Sequence, residues 1–168
     1  MWANPRLAGF LTQALDHELS VVQQYLTQAC LCQLWGEEGL AAYFRREANE
    51  EQNHAGQLIC HLLSLGQAPN GTRLRPVRPG RDLGEMLRID RELELDAVLL
   101  YQDALAYARR CRDDVSAALF AELLADEQHH LAELDRLLSE LAEKGCDPAR
   151  FIERVSVGNV PCVVARNG

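Results

Sequence analysis

The sequence predicts an all-α protein, a bundle of four long helices in which a long crossover joins the second helix to the third. Hydrophobic residues make up 48% of the 168 positions and aromatic residues only 6%, with leucine, alanine and glutamate in surplus, a composition typical of helical globular proteins. Four stretches with hydrophobic residues at helical spacing are each bounded by capping or terminating residues. A chain of 168 residues is long enough for one domain with one hydrophobic core.

The first two helices are predicted at residues 5–35 and 38–65. Asn4 is a favourable N-cap and is followed by a proline at the first helical position. Gly36 and Gly66 come after the last hydrophobic residue of each helix, where glycine commonly ends helices. Because only residues 36 and 37 separate them, the two helices are expected to form an antiparallel hairpin.

Residues 66–81 contain three prolines and three glycines, so they are predicted as a linker. Sixteen extended residues reach about 53 Å, which exceeds the roughly 42 Å length of a 28-residue helix. The linker is therefore long enough to begin a second hairpin at the far end of the bundle. The helices of this second hairpin are predicted at residues 82–110 and 113–144.

A short fifth helix is predicted at residues 147–155, because an aspartate and a proline stand at its start. We therefore assign residues 1–155 to one domain. Residues 156–168 are assigned to a C-terminal tail, which is largely apolar.

The chain repeats itself at an offset of 76 residues. The stretch EEQNHAGQL at residues 50–58 returns as DEQHHLAEL at residues 126–134. Leucine periodicity alone would align hydrophobic residues at this offset, but it would not align acids with acids and histidines with histidines. The matched polar pairs include Glu18 with Glu94, Tyr25 with Tyr101, Glu51 with Glu127, Gln52 with Gln128, and His54 with His130.

The repeated polar residues predict a two-metal site inside the bundle. In each half, one helix supplies a glutamate and the next supplies Glu-x-x-His, which is the ligand set of di-iron carboxylate proteins built on ferritin-like four-helix bundles. Four buried carboxylates would be costly unless two divalent cations neutralise them. Iron or manganese suits such oxygen and imidazole ligands, with zinc as a competitor. The predicted ligands are Glu18 and His54 on one metal, Glu94 and His130 on the other, and Glu51 and Glu127 as bridges.

A solitary Glu-x-x-His motif on a helix usually lies on a solvated face. Two copies with two matched glutamates at one offset favour the metal site instead. Tyr25 and Tyr101 share the faces of the single glutamates, and they are predicted either to hydrogen-bond ligand carboxylates or to pack in the core. His17, His61 and His129 have no partner at the offset and are predicted at the surface.

Four stretches of the sequence carry a resemblance to a known family: NPRLAGFLTQALDHELSVVQQYLTQACLCQLWG, ANEEQNHA, LGEMLRIDRELELDAV and LLADEQHHLAEL. Over roughly residues 5–155 the chain resembles the bacterioferritin family. The resemblance implies a ferroxidase centre at the six predicted ligands, which oxidises Fe(II) with O2 or H2O2. It also implies a shell of 24 subunits that stores ferric mineral, with the short fifth helix lining the fourfold axes.

The position of the family's haem ligand departs from this resemblance. Members of the family usually carry a methionine where this chain has Gln52, and that methionine ligates a haem b shared by two subunits. Residue 52 lies about 100° around the helix from Glu51, so its side chain is predicted to leave the bundle and face a neighbour. Methionine occurs only as Met1 and Met86, and glutamine is a poor haem ligand. Either the shell binds no haem, or it is a hetero-oligomer with a sister subunit that supplies the methionine.

Glu47 and Glu50 stand where the family has residues that transfer iron on the cavity side. Arg46 replaces a histidine that the family often has there, so the resemblance implies an altered relay. The two glutamates are predicted either to collect cations for the cavity or to form an ordinary solvated helix face.

Charge and hydrophobicity exclude several classes of function. The net charge of −8, from 17 basic and 25 acidic residues, argues against nucleic-acid binding. The longest uncharged stretch, residues 19–36, is amphipathic and carries glutamines, so it predicts no membrane span. The first ten residues lack the charged and apolar regions of a signal peptide, which predicts a cytoplasmic protein with reduced cysteines.

Three alternatives stay open at this point. A rubrerythrin-like di-iron peroxidase or oxidase would turn over an external substrate without storing iron, but such enzymes usually carry paired CxxC motifs or an additional ligand glutamate. A purely structural shell subunit would not need the ligand set. The apolar tail is expected to pack against its own shell or, alternatively, to dock into a larger encapsulin-type compartment.

Overall fold

The computed structural model describes residues 4–144 of the chain. Within this range it contains four long α-helices and no strand, which confirms the predicted four-helix fold. The helices are α1 (Pro5–Leu34), α2 (Glu38–Ser64), α3 (Leu83–Arg110) and α4 (Asp114–Lys144). In this part of the chain, no helix has a stretch long and apolar enough to cross a membrane. The predicted fifth helix at residues 147–155 and the tail at residues 156–168 lie outside the described residues.

The ends of the first hairpin follow from the capping residues. Asn4 accepts hydrogen bonds from the backbone N–H groups of Arg6 at 3.0 Å and Leu7 at 3.4 Å, which satisfies two donors at the start of α1. Gly36 and Gly66 follow α1 and α2 with φ angles of 81° and 70°, in the left-handed region that glycine adopts without strain. The chain therefore leaves each helix where the sequence predicts.

Two hydrophobic clusters fill the bundle, and a polar layer separates them. One cluster includes Tyr25, Phe44 and Leu134, and the other includes Leu11 and Phe120. On every helix, the buried acids and histidines of the repeated motif fall between residues of the first cluster and residues of the second. Apolar packing above and below thus excludes water from the layer and makes unneutralised charge there costly.

The linker at residues 66–81 is held along α1 by a row of hydrogen bonds. Three polar side chains spaced four residues apart lie in one row on the helix, and each accepts a linker backbone N–H. Arg73 N donates to Asp16 Oδ1 at 3.0 Å, Arg75 N to Ser20 Oγ at 2.9 Å, and Arg78 N to Gln24 Oε1 at 3.0 Å. The linker is therefore fixed through its backbone over the length that the crossover requires.

Arginine side chains of the same linker reach α3. Arg75 pairs with Asp96 at 2.5 Å, and Arg78 pairs with Glu92 at 2.8 Å, measured between nitrogen and oxygen. These side chains are about half exposed, so each ion pair contributes little stability on its own. Together with the row on α1, they place the linker over the seam between α1 and α3.

A buried acid joins α1 to α3 inside the bundle. Asp90 is 0% exposed, and Gln28 Nε2 donates to its Oδ1 at 2.8 Å. Asp90 Oδ2 and Gln28 Oε1 have no hydrogen-bond partner among the described residues. Burial raises the pKa of Asp90 well above its ordinary value. A proton on Asp90 would let the acid donate to Gln28 Oε1, which satisfies both atoms.

Replacing Asp90 with asparagine should stabilise the metal-free protein increasingly as the pH rises. An acid whose pKa is raised by folding contributes most to the free energy of unfolding below its unfolded pKa. This contribution is lost as the pH rises through the folded pKa. Asparagine has no proton to lose, and its amide still pairs with Gln28. We expect the Tm gap between Asp90→Asn and wild type to widen by several degrees from pH ~5 to pH ~8. A gap that stays constant with pH would show that Asp90 is ionised in the native state.

Candidate metal centre

The polar layer between the two hydrophobic clusters brings together all six predicted ligands. α1 and α3 each contribute one glutamate, and α2 and α4 each contribute a glutamate and a histidine one turn later. All six residues are buried, and none is more than 7% exposed. They form two overlapping groups whose potential ligand atoms lie within 4.8 Å of one another: Glu18, Glu51, His54 and Glu127, and Glu51, Glu94, Glu127 and His130.

Glu51 and Glu127 are common to both groups. His54 Nδ1 lies 3.1 Å from Glu51 Oε2 and 3.0 Å from Glu127 Oε1. His130 Nδ1 lies 3.1 Å from Glu51 Oε1 and 3.6 Å from Glu127 Oε2. Each glutamate therefore presents one oxygen to each histidine, which is the geometry of a carboxylate able to bridge two metal ions.

Several buried ligand atoms have no hydrogen-bond partner in the described part of the chain. They are Glu18 Oε2, Glu51 Oε1, both carboxylate oxygens of Glu127, and His130 Nδ1. Some of them lie close to another ligand atom but lack the alignment of a hydrogen bond. Buried polar atoms normally have partners, so this convergence of unpartnered oxygen and imidazole donors fits divalent cations.

Burial and mutual repulsion favour the protonated form of the two single glutamates in the metal-free protein. Burial raises the pKa of Glu18 well above its ordinary value, and the charges of Glu127 and Glu51 raise it further. Burial, followed by the same two charges, also raises the pKa of Glu94. A metal ion that binds either carboxylate must therefore displace a proton.

The motif glutamates and histidines form ion pairs instead. Burial alone would lower the pKa of His54, but the adjacent carboxylates of Glu127 and Glu51 outweigh burial and raise the pKa to about 10. The same two carboxylates raise the pKa of His130 against the effect of burial. Burial alone would raise the pKa of Glu51 and of Glu127, but the adjacent histidines outweigh burial and lower both pKa values. Protonated histidines thus supply the positive charge that the bridging carboxylates require when no metal is bound.

Tyr25 and Tyr101 hydrogen-bond the single glutamates crosswise. Tyr25 on α1 donates its O–H to Glu94 Oε1 on α3 at 2.6 Å, and Tyr101 on α3 donates to Glu18 Oε1 on α1. Helical side chains lean toward the N-terminus of their helix, which brings each phenol back to the level of the polar layer. Both rings also pack within the hydrophobic clusters. Each tyrosine therefore both hydrogen-bonds a glutamate and packs in the core.

A third group of potential cation ligands lies beside the centre. Glu47, Glu50 and His130 bring ligand atoms within 4.8 Å of one another. Glu47 is buried rather than solvated, and burial raises its pKa to about 7, although the guanidinium of Arg46 lies 3.0 Å away and opposes the shift. The side chain of Glu50 is 47% exposed. The two glutamates therefore lie between the buried centre and the surface of the chain.

Known proteins share both the sequence pattern and the fold. A family model described as a ferritin-like domain matches residues 9–143. Bacterioferritins of Streptomyces coelicolor and Brucella melitensis are 38% and 36% identical to this chain, over 86% of it and over 86% and 90% of their own lengths. The chain belongs to the bacterioferritin family.

A solved bacterioferritin structure supports the same assignment. The structure from Rhodobacter capsulatus has a metal-free dinuclear site and a haem iron, and it matches this chain with a TM-score of 0.85 at 32% identity. The match covers 98% of this chain and 100% of that one. The bacterioferritin fold and these relatives support a role in iron storage.

Gln52, which the family resemblance places at the haem-ligand position, lies on α2. Its side chain is exposed, whereas the neighbouring Glu51 is 1% exposed, which agrees with a side chain that points away from the bundle. The outer face of α2 therefore presents an amide at the position where the family resemblance implies a methionine.

Two histidines outside the repeated motif are buried, so their predicted surface position was wrong. His17 is 5% exposed and His61 is 9% exposed. Burial lowers the pKa of His17, and the nearby guanidinium of Arg75 in the linker lowers it further. His61 Nε2 lies 2.7 Å from Ser116 Oγ at the start of α4. The repeat offset carries no information about burial beneath the linker or against a neighbouring helix. His129 is exposed, as predicted.

Proposed function

We propose that this chain is an iron-storage subunit that oxidises ferrous iron at a di-iron ferroxidase centre within each subunit. The observation that carries the proposal is the placement of Glu51 and Glu127, each of which presents one oxygen to each histidine. Such a pair of carboxylates suits two metal ions held about 4 Å apart. Iron is the substrate of this reaction, and the six ligands hold it during oxidation.

In the proposed reaction, one ferrous ion binds Glu18 and His54, and the other binds Glu94 and His130. Each ion gives up one electron, and one molecule of O2 or H2O2 takes up both. Two protons accompany the electrons, so that O2 becomes H2O2 or H2O2 becomes water. The protons displaced from the ligands as iron binds are available for this step.

Glu47 and Glu50 provide the proposed route from the centre to the storage cavity. Their carboxylates belong to a group of potential cation ligands next to the centre. Ferric ions would pass through this group into a shell of 24 subunits and join the mineral inside. Because Gln52 replaces the family methionine, a shell of this chain alone is proposed to lack haem b, and a haem-containing shell would require a sister subunit.

The proposal predicts iron storage far beyond the capacity of the centre. Metal-free protein is titrated aerobically with ferrous iron and separated by size-exclusion chromatography, with iron and haem measured in each fraction. We expect iron to co-elute with a large shell at many ions per chain, and a shell of this chain alone to contain no haem. Iron that saturates at about two ions per chain on a small oligomer would contradict storage and favour a rubrerythrin-like peroxidase or oxidase.

A further inference from the structure

Each candidate histidine ligand also has a carboxylate at its outer nitrogen. His54 Nε2 lies 3.4 Å from Asp126 Oδ2, and His130 Nε2 lies 3.0 Å from Glu50 Oε2. In both rings Nδ1 faces the bridging glutamates. Each imidazole therefore lies between the buried centre and an acid whose side chain is about half exposed.

The two outer acids follow the same internal symmetry as the ligands. Glu50 and Asp126 are separated by the repeat offset of 76 residues, and each directly precedes a bridging glutamate. Glu50 on α2 faces the histidine of α4, whereas Asp126 on α4 faces the histidine of α2. The contact recurs in both halves together with the ligands that it faces, which favours a function that the halves share.

That shared function is not cation binding in the third group. Glu47, the partner of Glu50 in that group, corresponds at the repeat offset to Leu123, which cannot ligate a metal. The symmetry therefore holds for the outer acids and fails for the additional cation ligand. The contact to the histidine is what Glu50 and Asp126 have in common.

Imidazole chemistry explains such a contact. A neutral imidazole has one protonated nitrogen and one that is able to bind a metal. Because Nδ1 faces the centre, the proton must sit on Nε2 when the ring binds a metal ion, and an acid beside Nε2 favours this arrangement. A carboxylate in this place also fixes the orientation of the ring.

We propose that Asp126 and Glu50 are positioning residues that hold His54 and His130, respectively, with Nδ1 directed at the di-iron centre. The inference rests on the proposed function and adds two residues to the six ligands. At the di-iron centre itself, each acid acts only through the imidazole that it faces.

The test is an anaerobic titration of the metal-free assembled protein with Co(II), followed by visible absorption. Wild type should bind about two Co(II) ions per chain. Asp126→Ala should weaken the binding of one ion by about 10–100-fold, and Glu50→Ala should weaken the other by a similar factor. Asp126→Asn and Glu50→Gln should recover most of the affinity, because an amide oxygen still accepts a hydrogen bond from Nε2–H.

Control variants separate positioning from other roles. Glu122→Ala removes an exposed acid of α4 that lies outside the centre, and it should leave both Co(II) affinities unchanged. Glu38→Ala removes an exposed acid of α2, the helix that carries Glu50, and both affinities should again be retained. The Tm of the metal-free protein should stay close to wild type in Asp126→Ala and Glu50→Ala.

Three results would overturn the inference. Full Co(II) binding in both Asp126→Ala and Glu50→Ala would remove the positioning role and leave the di-iron centre standing. Loss of affinity that merely follows a drop in the metal-free Tm would assign the two acids a structural role. Failure of the wild type to bind two ions would overturn the proposed centre and this inference together.

Discussion

Glu127→Gln should slow the rapid phase of ferrous oxidation by at least about 100-fold. A neutral amide cannot bridge two cations, so the two ions would lose both their shared ligand and their mutual spacing. Oxidation that transfers two electrons to one oxidant depends on that spacing. The measurement is stopped-flow absorbance of the ferric product after mixing metal-free protein with ferrous iron in air. Glu51→Gln should behave in the same way, because Glu51 contacts the two histidines as Glu127 does.

The matched control for this substitution is Glu122→Gln, which makes the same chemical change at an exposed position of the same helix. Its oxidation rate should equal that of wild type. Helix content by circular dichroism should be unchanged in all three variants, because glutamine keeps the size of glutamate and a histidine that loses its charged partner can release its proton. Rapid oxidation that survives in Glu51→Gln or Glu127→Gln would refute the assigned centre.

Metal affinity should fall by about 100-fold for each metal ion when the pH is lowered by one unit. Burial and neighbouring charge raise the pKa of Glu18 and Glu94, and the bridging carboxylates raise the pKa of His54 to about 10 and also raise that of His130. All four groups therefore favour their protonated forms, and each metal ion must displace about two protons. Since protons compete with the metal, the affinity rises with pH and falls toward acid.

Zinc is a suitable probe of this pH dependence, because Zn²⁺ has no redox chemistry. Calorimetric titrations in buffers of different ionisation enthalpy count the protons released, and we expect about four for each pair of zinc ions. His54→Ala removes one of these groups and should reduce the count. A binding enthalpy that does not depend on the buffer would show that the ligands are already deprotonated in the metal-free protein, and the prediction would be wrong.

The helices and the set of converging residues could be predicted because each has a signal in the sequence. Caps and terminating glycines place the ends of the four helices within one residue of those observed. The ligands are distant along the chain, yet the repeat relates them: an offset that aligns Glu51 with Glu127 and His54 with His130 requires both hairpins to direct these residues at one place. An internal duplication thus carries information about contacts that a single motif lacks.

Other features depend on contacts that no spacing rule contains. The crosswise bonds of Tyr25 and Tyr101 require α1 and α3 to be neighbours at a particular height, and the sequence places each tyrosine only on the face of its own glutamate. The burial of His17 depends on where the linker lies. The protonation of Glu18 and Glu94 depends on how closely four carboxylates approach in a layer without water, which is a property of the assembled site.

The crossover linker has a consequence for how this fold tolerates mutation. Its backbone N–H groups bind Asp16, Ser20 and Gln24 of α1, and any residue other than proline offers such a donor. The course of the linker is therefore determined by side chains of α1, the helix beneath it. Most substitutions within the linker keep these hydrogen bonds, whereas a substitution at one of the three helix positions removes one of them. Outside Gly71 and Gly80, where an added Cβ would crowd Leu19 and Met86, the segment that defines the topology of the bundle can thus diverge in sequence while α1 preserves its course.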